Sequence, residues 1–153
     1  TADSVENSMR SISSIMTQHH RLCDQHFSDM ENAAAEQEWG TVDQALTLLC
    51  SHIEDHFSEE ENFLFPAFEQ QVGSSQGPTQ VMRMEHQQVR ELLESLKKAV
   101  QERSQDQVMG YSDTLMIMVQ QHNMKEEQIL YPMIDEALGD DQPVLGQLEQ
   151  LLD

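Results

Sequence analysis

Two pairs of residues raise the question of chemistry: His56 and Glu60 stand four positions apart, and so do His122 and Glu126. On a helix this spacing puts an imidazole and a carboxylate on one face, one turn from each other. Both faces are otherwise apolar. Around His56 the stripe carries Val42, Ala45, Leu49 and Ile53, then Phe63, Leu64 and Ala67; around His122 it carries Val108, Tyr111, Leu115, Met118 and Val119, then Ile129, Leu130 and Met133. His20 lies on a similar stripe with Met16, Cys23 and Phe27, and His86 on one with Met82, Val89 and Leu93. A carboxylate turned into an apolar core is costly unless it is paired or coordinates a metal. Four inward imidazoles and two inward carboxylates are nitrogen and oxygen donors that suit iron, manganese or zinc; copper(I) and iron–sulfur clusters select thiolates. The alternative is a metal-free core of histidines hydrogen-bonded to the glutamates, which leaves two buried charges to be neutralised.

One constant offset relates these residues. His20 and His86 are 66 positions apart, as are His56 and His122, Glu60 and Glu126, Leu64 and Leu130, and Pro66 and Pro132. Met16 with Met82 and Val42 with Val108 keep the same offset. The chain therefore reads as two copies of one helix pair, with equivalent residues expected to face each other across a pseudo-two-fold axis.

The elements that must hold these side chains in place are helices, because apolar residues recur at spacings of three and four through long segments. The first helix is expected from about Ser4 to Ala35, with Asp3 and Glu6 in capping-box spacing. A second begins near Thr41 as its N-cap and runs to about Leu64, where Pro66 breaks or kinks it before a continuation to Val72. Gly73 to Pro78 form a loop, Pro78 opens a third helix reaching about Glu102, and Ser104 caps a fourth that is interrupted at Pro132 and ends at Gly139. Asp141, Gln142 and Pro143 start a short terminal helix that ends in Leu151 and Leu152 and covers one end. Four long helices with short connections predict an all-α fold, an antiparallel up-down-up-down four-helix bundle with a short C-terminal helix, in one domain over residues 1–153.

Composition narrows the partners. With 28 Asp plus Glu against 8 Lys plus Arg the formal charge is −20, which repels phosphate backbones and anionic lipid, so neither nucleic acid nor membrane is expected as a partner. No run reaches the length of a membrane span and Thr1 to Arg10 lack a basic segment followed by an apolar one, so the expected location is the cytoplasm. Cys23 and Cys50 are not in a C-x-x-C pair and are expected as buried, reduced thiols. Neither a nucleophile arrangement nor a phosphate-cradling glycine loop is present.

Taken together the motifs resemble the hemerythrin-like, or HHE cation-binding, domain family. The likeness rests on His20 in the first helix, H-x-x-x-E followed by Leu64-Phe65-Pro66, Glu85-His86 in the third helix, and H-x-x-x-E followed by Leu130-Tyr131-Pro132, and it covers about residues 9 to 137. The resemblance implies a non-haem di-iron centre of two iron ions with room for an oxo or hydroxo bridge. It makes His20, His56, His86 and His122 terminal metal ligands and Glu60 and Glu126 bridging ones. Oxygen-carrying members have five histidines, with an H-x-x-x-H pair on the third helix; here Arg90 and Met82 stand four positions to either side of His86. Their fourth-helix carboxylate is an Asp five after its His, where this chain has Glu126 four after His122. The symmetric pattern is closer to bacterial members linked to nitric oxide and to repair of damaged iron centres.

The resemblance implies a diatomic ligand, dioxygen or nitric oxide, bound in sensing, scavenging or stress response. Two rivals are a di-iron oxidoreductase that reduces nitric oxide or peroxide with electrons from a donor protein, and iron storage or donation to an iron-acceptor protein. His52, one turn before His56, is a candidate extra metal ligand or a partner of one. His19 and His26 are expected in solvent. Glu59, Glu61 and Glu127 are expected on a solvated face, with Glu59 also a candidate partner of a ligand. Tyr111 and Tyr131 are expected in the core or as hydrogen-bond donors beside the ligands.

Overall fold

A computed structural model describes residues 10–139 and 141–153, and every regular element among them is helical. The first helix, α1 (Ile12–Ala35), starts where the Ser11 hydroxyl accepts from Ser14 N–H while the Ser14 hydroxyl accepts from Ser11 N–H, a reciprocal capping box. The expected start near Ser4 and its cap at Asp3 and Glu6 lie outside the described residues. Helix α2 (Trp39–Glu59) begins before Thr41. The reason is the tight reversal that ends α1: Glu38 N–H donates to Ala33 O, with Gln37 in the left-handed region, so the chain is back in helical conformation by Trp39. Arg103, 66 positions after Gln37, takes the same left-handed conformation between α4 (Pro78–Gln101) and α5 (Gln105–Lys125), and Ser104 N–H donates to Ala99 O. Ser104 then caps α5 as expected, accepting from Gln107 N–H.

The two prolines do not break their helices; each follows a single π-helical turn. Glu60–Leu64 and Glu126–Leu130 form these turns, which lead into α3 (Phe65–Val72) and α6 (Tyr131–Leu138). Phe65 N–H donates to Glu60 O and Tyr131 N–H to Glu126 O, five residues back, so each turn holds one extra residue. Pro66 and Pro132 then fall in the first turn of an α segment, where a missing N–H is tolerated. The extra residue rotates the rest of the helix. Leu64, Phe65 and Phe68 are buried instead of Phe63 and Ala67, and Leu130, Tyr131 and Ile134 instead of Ile129 and Met133, which are exposed. Gly73, at φ 78, supplies the left-handed cap of α3.

Helix α7 (Gln142–Glu149), capped by the Asp141 carboxylate accepting from Val144 N–H, and a 3₁₀ turn over Gln150–Leu152 close the chain. Helix α1 packs against α2, α5, α6 and α7, while α4 packs against α5 and α2 and α3 against α6. The buried apolar residues form two clusters. One holds Cys23, Phe27, Leu49, Leu96, Leu115 and Val119; the other holds Ile12, Met16, Leu64, Leu130, Ile134 and Leu148. On α1 the boundary falls between Met16 and Cys23, on α4 between Met82 and Val89, and along α5 and its π turn between Val119 and Leu130. His20, His86, His122 and Glu126 occupy those boundaries, so a polar layer is enclosed by apolar packing at both ends. Burying each such Leu side chain contributes roughly 1.5–3 kcal/mol, and that packing carries the cost of enclosing charge. No helix among the described residues is long and apolar enough to cross a membrane. Cys23 is buried and Cys50 partly so, and both are free thiols.

Candidate metal centre

Each of the expected donors comes from a different turn of the boundary layer: His20 from α1, His56 from α2, His86 from α4, His122 from α5, and Glu60 and Glu126 from the first positions of the two π turns. All six are buried, with Glu60, His86 and Glu126 wholly inaccessible to solvent at 0% exposure. Their donor atoms converge in two groups, one of Glu60, His86, His122 and Glu126 and one of His20, His56 and Glu126, each with its atoms within 4.8 Å of one another. Glu126 belongs to both.

The six side chains are packed within direct contact of one another. His86 Nε2 lies 3.1 Å from Glu60 Oε1, His122 Nε2 and His20 Nε2 each 3.2 Å from Glu126 Oε1, and His20 Nε2 3.1 Å from His56 Nε2. Yet Glu60 Oε1, His86 Nε2, His122 Nε2 and Glu126 Oε2 are buried without any hydrogen-bond partner. Buried polar atoms are nearly always satisfied, and four orphans facing one another are what a bound cation would satisfy together. The donor set therefore fits a metal, and the metal-free alternative leaves these atoms unpaired.

The carboxylates also govern the protonation of the imidazoles that face them. Burial by itself pushes His20 down, but the hydrogen bonds and charges of Glu126 and Glu127 outweigh it and lift the imidazole to about 9. His122 reaches about 9 in the same way, with burial opposed by the Glu126 charge. His86 is raised too, its burial outweighed by the neighbouring Glu60 and Glu61 carboxylates. Burial would raise Glu60, yet the facing His56 and the surrounding hydrogen bonds hold its carboxyl well below the usual range.

Behind the donors stands a ring of carboxylates, two of which, Glu61 and Glu127, the sequence places on a solvated face. Glu127 accepts from His20 Nδ1 at 2.8 Å, Glu61 from His86 Nδ1 at 2.7 Å, and Glu85 from His122 Nδ1 at 2.8 Å. Each is anchored in turn by a cation: Arg21, Arg90 and Lys125 respectively. Such carboxylate–histidine pairs orient a metal-binding ring and raise its basicity. Glu61 and Glu127 are thus not simply solvated, while Glu59 accepts from Gln147 and touches no ligand. The missed signal was the offset itself, since Glu61 and Glu127 are 66 apart and each follows an inward Glu.

His19 is also corrected: it is buried at 2% exposure, with its Nδ1 2.7 Å from His56 Nδ1. Its stripe runs back through Ile15 and Ile12, both buried, rather than forward through Leu22 and His26. Burial, and then the neighbouring His56, His52 and His20, push its pKa down to about 2, so the ring is neutral. His52 lies outside both donor groups; its ring stacks on His19 at 3.7 Å and its Nε2 donates to His19 O at 2.7 Å. His26 is partly exposed against the edge of His52. Tyr131 is buried in the layer and its hydroxyl donates to Glu60 Oε2 at 2.7 Å and approaches Glu126, His20 and His56. Burial and the charges of Glu126 and Glu60 raise its pKa well above the ordinary value, which keeps the phenol a donor. Tyr111, in contrast, is exposed.

The family model described as the hemerythrin HHE cation binding domain matches residues 11–134. A 53-residue stretch is 43% identical to the iron-sulfur cluster repair protein YtfE of Escherichia coli O1:K1 / APEC, covering 34% of this chain and 24% of that protein. Proteins of the same description from Escherichia coli (strain K12 / DH10B) and Shigella boydii serotype 18 (strain CDC 3083-94 / BS512) match to the same extent, so the chain aligns with about a quarter of the length of these relatives. No solved structure matches it.

Proposed function

The chain belongs to the hemerythrin HHE cation-binding domain family, and from that premise we propose that it is a non-haem di-iron protein whose centre binds dioxygen or nitric oxide in sensing, scavenging or repair of damaged iron centres. The observation that carries this reading is the pair of buried donor groups that share Glu126 and leave four polar atoms without partners. In it His20, His56, His86 and His122 would hold the metals and Glu60 and Glu126 would be the carboxylates shared between them, in one antiparallel up-down-up-down four-helix bundle domain. Two iron ions would supply redox-active positions open to a diatomic ligand. The chain's own residues do the rest. Glu61, Glu85 and Glu127 fix three of the imidazoles with the proton on Nδ1. The Tyr131 hydroxyl holds a proton toward the carboxylates, and the two apolar clusters keep bulk water from the layer. Free Cys23 and Cys50 agree with the reducing cytoplasm as its location.

A second reading, iron donation to an acceptor protein, is favoured by the partial likeness to iron-sulfur cluster repair proteins. One experiment separates the two and the oxidoreductase rival. The protein is reconstituted anaerobically with iron(II) and exposed in parallel to dioxygen, to nitric oxide, to either gas with a reductant, and to an apo iron–sulfur protein. A spectral change that reverses on degassing supports ligand binding, sustained consumption of gas and reductant supports catalysis, and iron loss to the acceptor supports donation. No spectral change with either gas overturns the leading reading.

A further inference from the structure

The repeat makes the support behind the four imidazoles directly comparable. His86 is backed by Glu61 and His20 by Glu127, residues 66 apart; His122 is backed by Glu85, and the residue 66 before Glu85 is His19, which backs His56. Three back partners are carboxylates and the fourth is an imidazole. A carboxylate anchored by Arg or Lys accepts only, so the Nδ1 proton of His20, His86 and His122 is fixed and Nε2 is the nitrogen left for a metal. An imidazole is neutral or positive and can either donate or accept. When His56 donates to His19, its Nε2 is free for a metal; when His19 donates, the His56 proton moves to Nε2, toward His20 and Tyr131, and that nitrogen cannot bind one. The position is built rather than incidental, since His52 clamps His19 by stacking at 3.7 Å and by its bond to the His19 carbonyl.

We propose that His19 is a positioning residue that makes the two metal positions unequal: the ion at His20 and His56 is held more weakly and exchanges first, while the ion at His86 and His122 is retained. The inference rests on the dinuclear reading. It follows from the charge behind each position, two carboxylates (Glu61 and Glu85) for the retained ion against one (Glu127) for the labile ion. Loss of such a supporting partner typically costs 10–100-fold in metal affinity.

The test uses the whole chain loaded anaerobically with iron(II), mixed with excess colorimetric iron(II) chelator. The expected result is release in two equal phases whose rates differ by about ten-fold or more. His19→Glu should slow the fast phase toward the slow one, and Glu85→His should speed the slow phase toward the fast one. These opposite shifts are a readout that a merely structural role would not move. Should His19→Glu fail to fold, Glu85→His alone decides, and an unchanged slow phase in it overturns the proposal. Two irons leaving the wild-type protein in one phase also overturn it while leaving the dinuclear reading intact. Fewer than two irons at the start overturn that reading and the inference with it.

Discussion

Around His86 and His122 the centre is walled by rings: Phe57 stacks on His86 at 3.8 Å, Phe65 lies parallel at 5.9 Å, and the Arg90 guanidinium covers Phe57. Around His20 and His56 the residues at the repeat offset are Asn123 in place of Phe57, Tyr131 in place of Phe65, His19 in place of Glu85 and His52 in place of Met118. The donors, the prolines and the π turns are the same in both halves, while the lining is apolar in one and hydrogen-bonding in the other. The difference teaches that holding cations and tuning them are separable. In the proposed centre the first needs four imidazoles and two carboxylates at fixed positions, and the second is written in the residues behind them.

The largest effect that bears on this comparison is removal of the metal, which in the account ties the halves together. At a metal concentration about a thousand-fold above its Kd even one bound ion stabilises the fold by about 4 kcal/mol. Chelation should therefore lower Tm by about 8–16 °C, as followed by thermal unfolding monitored by circular dichroism; an unchanged Tm would mean that the halves are joined by packing alone. Glu126→Ala comes next. Because Glu126 belongs to both donor groups and Glu60 to one, both substitutions should lower iron content by elemental analysis, Glu126→Ala the more, to below about one per chain.

Exchanging Phe65 and Tyr131 sharpens the contrast in lining. Tyr131→Phe removes a hydrogen bond to a buried carboxylate and should destabilise the metal-free protein by about 1.5–3 kcal/mol, and Phe65→Tyr buries a hydroxyl in the apolar half at a cost of about 1–3 kcal/mol. Denaturant unfolding measures both. A neutral Phe65→Tyr would show that the two linings are less different than their residues.

The protons on the cluster give a pH dependence. His20 and His122 sit at about 9 when metal-free, above the unfolded value of about 6.5. Their contribution to stability is therefore fully present below pH 6.5 or so and lost as pH rises through about 9. Denaturation in the presence of chelator should show that fall, and the metal-loaded protein should not. Metal binding near pH 7.5 should correspondingly release about two protons, measurable by calorimetry in buffers of different ionisation enthalpy. The smallest effect is expected at His52, which lies outside both donor groups: His52→Met should leave iron content at the wild-type value, and a drop would make His52 a ligand.

Much of this was legible in the chain. The offset of 66 pointed to the six residues that the structure brings together, and Pro78, Ser104 and Asp141 marked helix starts that the structure keeps. Three features were hidden for physical reasons. The π turns shift the inward face by one residue, so a uniform helical period put Ile129 and Met133 inside when they are exposed at 58% and 42%. Glu61 and Glu127 read as solvated because a carboxylate at the edge of a helix face looks the same whether it meets water or an imidazole from a neighbouring helix. His19 was misread because only the residues after it were weighed, and Ile12 and Ile15 before it carry the buried stripe.

The central claim is that four imidazoles and two carboxylates hold two metal ions. Elemental analysis of the anaerobically reconstituted wild-type chain beside a Glu60→Ala/Glu126→Ala double variant tests it most directly. About two irons per chain are expected in the wild type and little or none in the variant. A wild type that holds one or none, or a folded variant that holds as much as the wild type, would contradict it.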